Sequence, residues 1–253
     1  PESTDASFLA AFDNNLILDS ECLSAQALGV AVSGGADSIA LLVALLHRVG
    51  VGRLKVITVN HNMRKAADTE GDAAFVAQFC AERAVPCTVV TIERGEVHKT
   101  AAERGRGEEE AARFLRYQAF ERFIEQQQLT ALCLAHNQND QLETLVMRFL
   151  QGSSATAGIA YRRERIVRPL LHTARSDIER YLRLQHLSWR TDATNAETRY
   201  LRNNIRHRLL PLLNEAFSGW QQAALTGAEK AREDNDALDS LAAAISWHID
   251  AES

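Results

Sequence analysis

The sequence has no apolar run approaching the roughly 18 residues that a membrane-spanning helix needs. Its first residues, PESTDASF, lack a basic stretch leading into an apolar core, so a cytoplasmic protein with no membrane partner is expected. The four cysteines, Cys22, Cys80, Cys87 and Cys133, form no CxxC pair, which argues against a zinc or iron–sulfur site and for buried thiols. Neither a GxxxxGK[ST] loop nor a GxGxxG fingerprint occurs, which removes the two commonest nucleotide-binding signatures. Positive charge is not in excess either: the net charge of −5 argues, as an average, against a nucleic-acid partner.

What is present starts from Leu28 to Arg48, LGVAVSGGADSIALLVALLHR. Apolar residues Gly29 to Val32 are broken by Ser33-Gly34-Gly35-Ala36-Asp37-Ser38, and an apolar helical segment follows directly. Glycines allow positive φ and close approach of a ligand to the backbone, and a helix start offers unpaired N–H groups. Such a corner binds anions, most often phosphate. An ordinary strand–turn–helix connection capped by Ser or Asp accounts for the same six residues.

Further strands are expected at 54–59 (LKVITV), 86–92, 130–135 and 166–171, with helices at 69–84, 108–128, 145–150 and 176–186 between them. A lead-in helix is expected within 8–18, and residues 93–107 read as a long polar loop. The alternation predicts an α/β fold: a doubly wound, mainly parallel five-stranded sheet with helices on both faces, plus a small helical C-terminal part. Ligands in such sheets collect at the carboxyl ends of the strands. The expected division is 1–215 as the main domain and 216–253 as a helical extension. That extension packs back, pairs with a second copy as a homodimer, or leads toward a further domain.

Two stretches carry charge in a pattern. After the fourth strand, Asp140 and Glu143 lie three apart on one face of a first helical turn. They suggest a metal ion or a substrate ammonium, and a helix cap explains them equally. From Tyr161 to Arg208 there are twelve arginines, no lysine and five acidic residues. Arginine without lysine suits bidentate phosphate contacts, and the asymmetry suggests a footprint for an RNA or DNA backbone. A charged, exposed helix would also explain it.

Taken in order, six blocks resemble those of the PP-loop (N-type) ATP pyrophosphatases and, within them, the tRNA(Ile)-lysidine synthetases. SGGxDS stands as Ser33 to Ser38, and VNHNMR as Val59 to Arg64. The block ExxARxxRY is similar to Glu109, Ala112, Arg113, Arg116 and Tyr117. HHxDDQxET matches His136, Asp140, Gln141, Glu143 and Thr144, with Asn137 in place of the second His and Asn139 in place of the first Asp. RPLL is Arg168 to Leu171, and the last block resembles Asp192, Thr194, Asn195, Tyr200, Arg202, Asn203, Ile205 and Arg206. The resemblance spans about residues 28 to 213.

The resemblance implies a ligase that adenylates the wobble cytidine of tRNA(Ile) with ATP and joins L-lysine to it, with Mg²⁺ as cofactor. It implies that Ser33, Gly34, Gly35, Asp37 and Ser38 hold the pyrophosphate end of ATP, with Asp37 also toward the metal. It further implies that Asn60, His61 and His136 line the nucleotide pocket, that Arg113 neutralises charge at the α-phosphate, that Asp140 and Glu143 bind lysine or accept its proton, and that Arg168, Arg202, Asn203 and Arg206 contact RNA. Two other readings stay open: a related PP-loop tRNA-modifying or amide-forming synthetase, and a noncatalytic nucleotide-dependent RNA-binding module.

Overall fold

A computed structural model describes residues 2–60, 66–153, 157–191 and 201–244. In chain order its elements begin α1 (Glu2–Asn14), α2 (Ser20–Ser24), β1 (Leu28–Ala31), α3 (Ala36–Val49), β2 (Leu54–Asn60), α4 (Ala66–Ala81) and β3 (Cys87–Thr91). They continue with α5 (Glu96–Arg104), α6 (Glu108–Gln126), β4 (Ala131–Cys133), α7 (Gln138–Leu150), β5 (Arg162–Arg163), β6 (Ile166–Val167) and α8 (Arg175–Leu184). The last are α9 (Leu201–Asn204), a π-helical turn over Ile205–Leu209, α10 (Leu210–Ala216) and α11 (Trp220–Ala244). Two compact units result, residues 1–138 with 161–193, and residues 139–160 with 194–253.

The first unit is built on a six-stranded sheet of order β3-β2-β1-β4-β6-β5. Every described pairing is parallel except β5 with β6. The expected parallel sheet is therefore present, with one antiparallel strand added at the edge by the hairpin of Arg162–Arg163. Leu28 and Val30 on β1 are fully buried, as expected of a central strand covered on both faces. One core joins β1 to α1, α3, α4 and α8 through Phe12, Leu42, Cys80 and Tyr181. A second, through Ile57, Phe120, Phe123 and Leu132, places α6 against the sheet. Gly29 reflects this crowding, because a Cβ there would stand 2.6 Å from Leu132 Cδ1 and 2.7 Å from Leu129 Cδ1.

Three local expectations change. Residues 93–107 are not a loop: α5 lies within them, bounded by Gly95 and Gly105 in left-handed conformation. Its buried face is only Val97, Thr100 and Ala101, too few apolar positions to set up a readable helical period. The strand expected at 166–171 ends at Val167. Pro169 has no N–H for the ladder, and the Leu171 N–H turns back to the Arg168 carbonyl at 3.2 Å. Helix α7 starts at Gln138, seven residues ahead of its apolar run. Cys22, Cys80 and Cys133 are buried and Cys87 is half-buried, all as free thiols.

Strands β2 and β3 lie on one side of β1, and β4 and β6 on the other. Strand order therefore reverses between β1 and β4, and the carboxyl ends of these two strands bound the crevice where such folds bind ligands.

In the second unit, the small-residue loop before residue 161 is seated on α7. Gly158 has φ +63°, and a Cβ there would meet Gln141 Oε1 at 2.6 Å. The Gln141 amide donates to the Ile159 carbonyl at 3.1 Å, and Arg148 donates to the Gly158 carbonyl at 2.7 Å. Helix α11 joins the same loop, Arg232 donating to the carbonyls of Ala157 and Ile159 at 3.0 Å each. Ala228 is buried, so the described part of the tail packs back on its own unit. No helix among the described residues is long and apolar enough to cross a membrane.

Candidate functional site

At the end of β1 the chain turns through Ser33-Gly34-Gly35 into α3. Gly34 takes φ +86°, and Gly35 is the N-cap with no side chain to close the first turn. The serines brace the corner: the Ser33 N–H donates to Ser38 Oγ at 3.2 Å, and the Ser38 hydroxyl donates to the Gly35 carbonyl at 2.8 Å. The result is a braced turn with a bare glycine at the helix start, as an anion site requires.

Asp37, in the first turn of α3, is held by two residues far away in sequence. Asn137, just after β4, donates its amide to Asp37 Oδ1 at 3.0 Å. Arg175, the first residue of α8, donates a guanidinium N–H to Asp37 Oδ2 and its Nε–H to Glu179 at 2.9 Å. Burial acts to lower the Arg175 guanidinium, but Asp37 and Glu179 outweigh it and hold it above its ordinary value. The Gln138 N–H donates to the Thr173 carbonyl at 3.0 Å, which ties the residues before Arg175 to the start of α7. A third strand of contacts comes from Arg190, whose N–H donates to the Gly34 carbonyl at 2.9 Å and whose Nε–H donates to Asp72 at 2.8 Å.

The other expected nucleotide-site residues are placed as follows. Asn60 is buried at the carboxyl end of β2, its carbonyl accepting from Ile92 N–H at 2.8 Å. His136 is half-buried directly after β4. His61 lies outside the described residues, as do Asp192, Thr194, Asn195 and Tyr200. Arg113 is exposed on α6, donating to the Tyr117 hydroxyl at 3.2 Å with its guanidinium 4.9 Å from that ring. Arg116, one turn on, is lowered by burial and then by Arg113.

Arg168 departs from expectation. It is only 5% exposed, with burial lowering its guanidinium and Tyr117 beside it opposing that. An interior guanidinium of this kind does not offer itself to an RNA backbone, so Arg168 leaves the candidate RNA surface.

The second unit gathers four of the expected residues by itself. On the first turns of α7, Asp140 and Glu143 share one face, and Glu143 is 1% exposed. Arg202 donates to Asp140 at 2.6 Å and to Glu143 at 2.8 Å. Arg206, in the π-helical turn, donates to both oxygens of Glu143, at 2.5 and 3.0 Å. Spaced four apart, the two arginines stack over the acids as one layer of two cations on two anions. Asn203 is half-exposed on α9. Local departures from α geometry such as this π turn often mark functional positions.

A family profile described as PP-loop domain matches residues 4–213. The chain belongs to the PP-loop domain family. The tRNA(Ile)-lysidine synthase of Treponema denticola is 45% identical over 211 residues, covering 82% of this chain and 46% of that protein. The enzyme of that name in Deinococcus radiodurans is 39% identical over 220 residues, 87% of this chain and 36% of that protein. The chain thus spans less than half the length of these curated relatives. Among solved structures, U34-tRNA thiolase NcsA from Methanococcus maripaludis matches with a TM-score of 0.72 at 15% identity, over 92% of this chain and 80% of that one. The NH3-dependent NAD synthetase from Campylobacter jejuni matches with a TM-score of 0.52 at 10% identity, over 93% and 94%. These two likenesses concern the fold, and they agree with a PP-loop ATPase architecture.

Sequence reading found the PP-loop corner but missed Arg175 and Arg190, which it assigned to a general arginine-rich surface. The available signal was an absence: the loop Ser33–Ser38 contains no cation of its own, so one has to come from elsewhere in the chain.

Proposed function

We propose that this chain carries the catalytic part of a tRNA(Ile)-lysidine synthase, with residues 1–215 as its catalytic domain and 216–253 as an extension. The C2 carbonyl oxygen of the wobble cytidine, in anticodon CAU, attacks the α-phosphorus of ATP, and pyrophosphate leaves. The ε-amine of L-lysine, after loss of its proton, attacks C2 and expels AMP. The observation that carries this reading is the braced Ser33–Ser38 corner with Asp37 anchored across the β1/β4 crevice, in a PP-loop chain alignable with curated lysidine synthases over most of its length.

The corner supplies backbone N–H groups to the departing pyrophosphate. Among the described residues no group of three or more His, Cys, Asp or Glu could hold a metal by itself. A Mg²⁺ that arrives on phosphates needs only one or two carboxylates, and Asp37 fits that requirement. Bound there, the ion would offset charge on the phosphates. Arg113, exposed and steadied by Tyr117, is suited to charge growing on the α-phosphate. Asp140 and Glu143, oriented by Arg202 and Arg206, are suited to hold lysine or accept its proton. The proposed compartment is the cytoplasm.

Incubation with tRNA(Ile), ATP, Mg²⁺ and labelled lysine tests the proposal. Lysine should enter the tRNA with one pyrophosphate and one AMP released per lysine, and Asp37→Ala should abolish it. Pyrophosphate release without lysine incorporation would favour another PP-loop synthetase, and tRNA binding without pyrophosphate release a noncatalytic RNA-binding module.

A further inference from the structure

Adenylation sheds a pyrophosphate bearing several negative charges, and loops of the GxxxxGK[ST] type carry their own lysine to meet them. The Ser33–Ser38 loop contains no cation, and its one charged side chain, Asp37, has the wrong sign. Alone, that carboxylate would repel the phosphates that the glycines and helix start attract. The structure supplies a cation at this carboxylate from 138 positions away: Arg175.

We infer that Arg175 is a catalytic residue that contacts the leaving pyrophosphate, exchanging its bond with Asp37 for bonds with phosphate oxygens as ATP binds. The inference rests on reading this corner as the pyrophosphate end of an ATP site, and not on the identity of the acceptor. Three observations support it. First, the guanidinium is a fork with one arm on Asp37 and its Nε on Glu179, so it can pivot on Glu179 while the other arm changes partner. Second, the side chain is 37% exposed and Asp37 27%, open enough for a ligand to reach an ion pair that costs little to exchange. Third, the backbone ahead of Arg175 is held at Thr173, whose carbonyl accepts the N–H of Gln138 at the start of α7, so the guanidinium can change partner while its backbone stays in place. Arg190 does not compete for this role, since its Nε is on Asp72 and what it gives the loop is a backbone N–H.

Calorimetric titration of inorganic pyrophosphate without added metal isolates the contact. Native protein should bind, and Arg175→Ala should bind about tenfold to a hundredfold more weakly, the range expected for charge-assisted hydrogen bonds. Arg175→Lys should recover part of the loss, because it keeps the charge but not the fork. Asp37→Asn should bind at least as tightly as native, and adding Arg175→Ala to it should again weaken binding by a similar factor. Equal affinity of native and Arg175→Ala would overturn the inference. So would a loss on Arg175→Ala that vanishes in the Asp37→Asn background, which would mean that Arg175 serves only to hold Asp37. Thermal melts check folding; should Arg175→Ala fail to fold, Arg175→Gln replaces it in both backgrounds. Lysine incorporation by the native chain is measured alongside. Arg175-dependent pyrophosphate binding without incorporation sinks the lysidine reading and leaves this inference standing, and the reverse pattern does the opposite.

Discussion

Asp37 and Glu143 are both carboxylates held by arginine, one in each unit, yet their settings give them opposite liberties. Asp37 is 27% exposed and accepts from the Arg175 guanidinium on one oxygen and from the Asn137 amide on the other. Glu143 is 1% exposed and takes two guanidiniums on its two oxygens. A half-solvated ion pair contributes little to stability and can be exchanged for a ligand at small cost. A desolvated carboxylate with two cations cannot lose its charge without leaving Asp140 as the one carboxylate facing both arginines. Under the proposed function, the difference suits Asp37 to a part in turnover and Glu143 to holding α7 to its arginines as well as to lysine.

Glu143→Ala should therefore have the largest effect on stability, about 1.5–3 kcal/mol for the charge-assisted hydrogen bonds lost, which in a protein of this size lowers the melting midpoint by roughly 3–12 °C. A melt indistinguishable from native would break the comparison at its buried end. Asp37→Asn should shift stability by less than about 1 kcal/mol while cutting lysine incorporation by about a hundredfold or more, the usual consequence of removing a group that acts on the developing charge. A large fall in melting midpoint with Asp37→Asn would place its ion pair in the structural class instead.

The same contrast explains what the sequence made legible. The alternation of apolar strands and helices announced the parallel sheet, because strands covered on both faces read as continuous apolar runs. The PP-loop corner was legible because its residues are contiguous. Helix α5 and the edge strand β5 were not, since each buries too few side chains to leave a period. Arg175 and Asn137 escaped for another reason: they reach Asp37 through the sheet order, from 138 and 100 residues away, and no local pattern encodes that distance. The Arg-rich span looked like one electrostatic surface. In the fold it is divided: Arg175 and Arg190 go to the PP-loop corner, Arg168 goes inside, and Arg202 and Arg206 go to the acids of α7. Asn137 also gains a meaning that its departure from the family pattern concealed. It donates to Asp37, a task for which a neutral amide suffices as well as an imidazole.

A third carboxylate–arginine pair gives the baseline for both. Asp19 accepts from Arg162 at 2.7 and 2.9 Å, and its other oxygen accepts the Cys22 N–H at 2.9 Å as the N-cap of α2. This pair lies away from the Ser33–Ser38 corner and from the acids of α7, and Arg162 also meets Glu21 at 3.1 Å. Burial acts to raise the Asp19 carboxyl, but the Cys22 N–H and Arg162 outweigh it and hold it below its ordinary value. A lowered carboxyl stabilises the fold above the unfolded-state value of about 4 and loses that contribution as pH falls through the folded-state value. Asp19→Asn keeps the cap oxygen and removes the charge, so at neutral pH it should cost less than about 1 kcal/mol. As native Asp19 takes up its proton below about pH 4, the two melting midpoints should converge. A gap that stays constant down to pH 2.5 would show that the effect does not come from the Asp19 charge. The small stability change expected for Asp37→Asn would then have no charge-only standard to be measured against.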